Sequence, residues 1–91
     1  MSTTNDKYRE DLTAYLLEVA TGNILKESKH SVAAMQSLSA ETYHFLMKSG
    51  AEAGTAEAYR FFLISIELMY KFGAAIWLNR LGYKFEKVNL T

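Results

Sequence analysis

An all-α fold is predicted for this chain, and three observations predict it. Apolar residues recur at intervals of three and four, proline is absent, and 49% of the 91 residues are apolar against 22% charged. The expected architecture is a short N-terminal helix, two long antiparallel helices and an extended C-terminal tail, assembled as a helical homo-oligomer. The length sets the expectation of one domain over residues 1–91.

The first helix is predicted over residues 6–21. Tyr8, Leu12, Tyr15, Leu16 and Val19 share one face, and Asn5 or Asp6 supplies the cap. Thr21-Gly22-Asn23 stops it, because glycine suits a left-handed C-terminal residue. The second helix is predicted over residues 24–48. It turns Ile24, Leu25, Val32, Met35 and Leu38 inward and places Lys26, Glu27, Lys29 and His30 on or near the other side. Ser39-Ala-Glu is a cap pattern inside this stretch, yet no glycine or proline interrupts the chain between Asn23 and Gly50. One long helix, bent near Ser37 to Ser39, is expected in preference to two.

Ser49 to Thr55 holds two glycines and ends on a hydroxyl cap, so it is predicted to be a loop. The last helix then runs over residues 56–81 and stops at Gly82. The tail, residues 83–91, begins with the alternation Tyr83-Lys84-Phe85-Glu86 and is expected to be extended, docking on its own subunit in preference to adding to a neighbour's surface.

The last helix dominates the chain. From Tyr59 to Leu78 it is apolar almost all round, with a narrow polar stripe through Glu57, Arg60, Glu67 and Lys71. Such a helix must be surrounded. The other two helices carry too little apolar surface to cover it, so a subunit interface is expected, with Phe72 and Trp77 in the core or in that interface. A membrane span is not expected. Glu67 and Lys71 near its middle each cost roughly 2.5–3.5 kcal/mol at a bilayer centre, about what the surrounding large apolar residues return.

Ten basic and ten acidic residues give zero formal net charge, which removes the attraction that phosphate-backbone binding requires, so duplex nucleic acid is not an expected partner. The absence of cysteine excludes disulfides and thiolate chemistry. The polar, mixed-charge N-terminus has none of the features of an export signal. The expected location is the cytoplasm.

Glu41-Thr42-Tyr43-His44 has the Glu-x-x-His spacing of di-iron bundles, but the second motif and additional glutamates of such a site are missing, so neither metal nor cofactor is expected. Nucleophile elbows, phosphate-binding glycine loops and zinc-protease motifs are also absent from the sequence. A non-enzyme is the expectation. The strongest binding candidate is the start of the second helix, where free backbone amides attract anions and Asn23, Lys26, Lys29 and His30 follow one another within two turns. Tyr8 and Tyr15 supply flat faces that could stack on a base between subunits. Each of these residues also has a plain structural role open to it: Gly22 closing a helix, the tyrosines lining a core edge, the lysines in solvent.

A short tyrosine-bearing N-terminal helix, a lysine early in the second helix and an apolar last helix that demands oligomerisation resemble the layout of the phage anti-CBASS sponge proteins, which sequester cyclic oligonucleotide signals. The resemblance implies a homo-oligomer with nucleotide pockets between subunits, Tyr8 stacking and Lys26 contacting phosphate. The expected function is therefore non-enzymatic sequestration of a small anionic ligand, a cyclic nucleotide or dinucleotide. The alternative is a helical adaptor or inhibitor that binds another protein through the last helix or the tail.

Overall fold

The computed structural model describes residues 4–19 and 31–82, apart from the side chains of residues 31 and 80. Within them the chain forms three helices, α1 (Thr4–Val19), α2 (Ser31–Lys48) and α3 (Ala56–Arg80), and no strand. The all-α class is what the periodicity predicts. Residues 20–30 and the tail at 83–91 lie outside the described residues, and with them the Thr21-Gly22-Asn23 stop, Ile24 and Leu25.

Each helix packs against the other two. The core gathers Tyr8, Leu12 and Leu16 from α1, Ala34 and Leu38 from α2, and Phe61, Ile64, Leu68, Phe72, Ala75 and Ile76 from α3. Spacings of four on α1, and of three and four on α3, set these side chains in single stripes. Burying large side chains such as Phe72, Leu12 and Leu68 is worth roughly 1.5–3 kcal/mol each. That is the main force holding the three helices together.

One expectation about α2 is corrected. Val32 was assigned to the inward face but is 70% exposed, because the buried line on α2 runs through Ala34, Leu38 and Thr42 at intervals of four. Val32, two residues before Ala34, falls about 200° away round the helix. The helix continues through Ser37 and Ser39. The Ser39 hydroxyl donates to the Met35 carbonyl at 2.9 Å, bonding back along the helix instead of capping a new one.

The connection between α2 and α3 is built by local chemistry. Gly50 and Gly54 have φ of +83° and +85°, values that side-chain-bearing residues rarely adopt. Thr55 then caps α3: its hydroxyl oxygen accepts from the Ala58 N–H at 3.1 Å and donates its own proton to the Glu52 carbonyl at 2.6 Å. At the other end the Gly82 N–H donates to the Asn79 carbonyl, with Gly82 at φ +105°. Between these ends Met35 lies against Gly73 and Leu46 shares a groove with Phe62.

Candidate interaction surface

The two sides of α3 are both apolar, and among the described residues α1 and α2 cover one of them. The inner stripe fills the core. The outer side exposes Tyr59, Phe62, Leu63, Ile66, Tyr70 and Trp77, followed by Leu81 just past the helix end, all at least 44% open to solvent. Isolated exposed apolar residues are normal on a protein surface, but a contiguous row along one helix marks an interaction site. Trp77 belongs to this row, while Phe72 is fully buried.

Beside the row, an apolar groove of about 190 Å³ runs between α2 and α3, lined by Ser39, Thr42, Tyr43, Leu46, Phe62, Ser65, Ile66 and Met69. Its buried hydroxyls are already engaged. Thr42 donates to the Leu38 carbonyl at 2.7 Å and Ser65 to the Phe61 carbonyl at 2.8 Å, so the groove offers an apolar surface and little hydrogen bonding. Phe62 and Ile66 belong to both groove and row, which makes the two one continuous surface.

By length and composition, Ala56–Asn79 is apolar enough to cross a membrane, and less than half of its most apolar 18 residues is buried in the fold. The predicted polar stripe of α3 takes part in packing. Glu67 accepts from the Arg9 guanidinium of α1 and lies 3.5 Å from the Lys71 ammonium. The Arg9 hydrogen bond, supported by the charges of Arg9 and Lys71, holds the Glu67 carboxyl below its ordinary range despite partial desolvation.

The structure places two of the predicted ligand-binding residues. Tyr8 is buried at 5% exposure, its ring stacked on Phe61 at a centroid distance of 4.0 Å and set edge-on to Phe45 at 5.7 Å. Its hydroxyl lies 2.6 Å from the Ser65 Oγ. Ser65 has one proton and commits it to the Phe61 carbonyl, so Tyr8 is the donor in this pair. Burial raises the Tyr8 pKa. Tyr15 is half-buried, tilted against Phe45 at 5.2 Å, with its hydroxyl donating to the Glu41 carboxylate. That bond, with burial and the negative charges of Glu41 and Glu18, raises the Tyr15 pKa. Asn23, Lys26, Lys29 and His30 lie outside the described residues.

Glu41 of the Glu-x-x-His spacing is thus turned to Tyr15, while His44 is exposed. Among the described residues no group of three or more potential metal ligands comes together. Two features escaped the sequence reading. Ser65 is a buried hydroxyl among Phe61, Leu68 and Phe72, and a serine on an otherwise apolar inward stripe was the available signal. The α2–α3 groove had no such signal, because it depends on how two helices meet. Compared with known proteins, the chain matches no family model, no curated protein and no solved structure.

Proposed function

We propose that this chain is a non-enzymatic helical binding protein that works as a homo-oligomer, with the outer side of α3 as its association surface. The continuous apolar row from Tyr59 to Leu81, together with the groove beside it, supports this function. A soluble helix with one apolar stripe needs one set of neighbours; α3 has two stripes, and α1 with α2 covers one of them. In this arrangement α2 and α3 are the long antiparallel pair, Phe72 is core and Trp77 is interface. A small anionic ligand would be held where Asn23, Lys26, Lys29 and His30 lie. Tyr8, with its ring stacked on Phe61 and its hydroxyl spent on Ser65, serves as a core residue of each subunit.

Light scattering coupled to size exclusion tests the association. The wild-type protein is expected to elute as more than one chain. Tyr70→Asp, at the most exposed of the large apolar positions on α3, is expected to elute as a monomer of unchanged helix content. Wild-type protein that remains a folded monomer at micromolar concentration overturns the proposal. Calorimetric titration with cyclic dinucleotides tests the ligand, and loss of binding in Lys26→Ala with Tyr8→Phe unaffected is the expected pattern.

A further inference from the structure

The outer row of α3 has an internal symmetry. Along the midline of this row, with Phe62 set off toward the groove, the exposed positions Tyr59, Leu63, Ile66, Tyr70, Ala74, Trp77 and Leu81 follow steps of four, three, four, four, three and four, the same read in either direction. Tyr70 stands at the centre and is 78% exposed, more than any other large apolar side chain among the described residues. The same steps repeat every eleven residues, close to three full turns of a straight α-helix, so the row keeps to one side of α3 along its whole length.

A row whose spacing reads alike from both ends can be laid on a reversed copy of itself with each exposed position facing another. We infer that the occupant of this face is a second copy of the chain, with α3 packed antiparallel on α3 about a two-fold axis at Tyr70. This inference rests on the proposed self-association and adds its geometry. In a two-fold contact, residue i meets j and j meets i. Leu63 on one copy then meets Trp77 on the other, Tyr59 meets Leu81, and Ile66 meets the small Ala74, which alternates large with small across the contact.

Two further quantities agree. Taking full areas of roughly 150–250 Å² for an aromatic side chain and somewhat less for Leu or Ile, the exposed fractions along this side of α3 leave on the order of 700 Å² uncovered. A standard stable interface buries about 800 Å² per partner. On the flank beside Tyr70, Glu67 and Lys71 carry opposite charges on either side of the axis position. An antiparallel register lays this polar flank along the same flank of the other copy, each glutamate toward the other copy's lysine, whereas a parallel one lays it along the opposite flank, where Phe62 and Met69 stand.

The chain contains no cysteine, so single-cysteine variants of the full-length protein report the register. Ile66→Cys and Ala74→Cys are refolded together and oxidised with diamide, which takes up the two electrons released as two thiols join. A disulfide-linked band of twice the chain mass is expected from the mixture. Neither variant alone should give it, because position 66 lies about 12 Å along the axis from its own mate in this register, beyond the roughly 7 Å limit for bridged Cα atoms. Leu63→Cys alone, displaced by about 21 Å from its mate, is also expected not to cross-link. Efficient cross-linking of Leu63→Cys with itself would indicate a parallel pair and overturn the inference while leaving the association intact. An assembly seen by light scattering whose mixture gives no linked band overturns it as well, and a monomeric wild type removes the association itself.

Discussion

Tyr8 and Ser65 form a polar pair at the centre of an apolar core, and the direction of their hydrogen bonds decides how each substitution behaves. Tyr8→Phe removes a donor whose partner keeps its own bond to the Phe61 carbonyl, so a loss of about 0.5–1.5 kcal/mol is expected. Ser65→Ala instead strands the buried Tyr8 hydroxyl and should cost more, about 1–3 kcal/mol. Urea denaturation of both variants checks the order; a larger loss for Tyr8→Phe would contradict the donor assignment. Tyr15 yields a pH prediction. Its folded pKa is raised, first by the bond to Glu41, so its contribution is complete below the ordinary tyrosine pKa of about 10 and lost as pH rises through the higher folded value. Tyr8 shifts in the same direction. Urea midpoints measured from pH 8 to 11 should fall for wild type and fall less steeply for Tyr15→Phe. From the sequence, Tyr8 and Tyr15 have both a core-edge role and a stacking role open to them, because both stand on the inward side of α1. How far each ring is covered depends on Phe61, Phe45 and Glu41, which stand on other helices.

At the scale of the element, glycines on α3 and in its approach loop carry opposite predictions. Gly73 has an ordinary helical backbone, and a Cβ there would meet the Met35 Sδ at 3.1 Å. A flexible, half-buried thioether can yield by a few tenths of an ångström, while alanine gains up to about 1 kcal/mol of helix propensity over glycine. Gly73→Ala is therefore expected to raise the melting temperature and Gly73→Leu to lower it. Gly50→Ala should destabilise by about 1 kcal/mol from backbone strain alone, since φ is +83° and no atom lies within 4 Å of the added carbon. Thermal melts of the three variants test this contrast. The Gly50–Gly54 loop and the Thr55 cap are legible in sequence because they depend on residues within a few positions of one another. The division of α3 into an inner and an outer apolar stripe is not obvious from composition, since a helix apolar nearly all round has no single preferred face. It emerges once α1 and α2 cover Phe61, Leu68 and Phe72 and leave Tyr59, Tyr70 and Trp77 open.

For the whole molecule, stability and association are one equilibrium if the outer face of α3 is an interface. The wild-type melting temperature is then expected to rise with protein concentration. Trp77→Ala should abolish most of that dependence, because its ring is half open within a single chain. Phe72→Ala, at a fully buried position, should cost about 3–5 kcal/mol at every concentration. Scanning calorimetry over a hundredfold range of concentration distinguishes the two, and a Trp77→Ala protein with unchanged concentration dependence would place Trp77 outside the interface.

The contacts of α1 also set an order of events during folding. Tyr8 and Ser65 are 57 positions apart and Arg9 and Glu67 are 58 apart, whereas α2 and α3 are joined by the short turn at residues 49–55. Closing the longer loop costs about 2 kcal/mol more in chain entropy, so α2 and α3 should meet first and α1 should dock afterwards. Leu38→Ala is then expected to slow refolding, and Leu12→Ala chiefly to speed unfolding, in stopped-flow measurements. On the ribosome the helix synthesised first is the last to find its place. Leu12 and Leu16 stay open to chaperones and to neighbouring nascent chains until α3 has emerged.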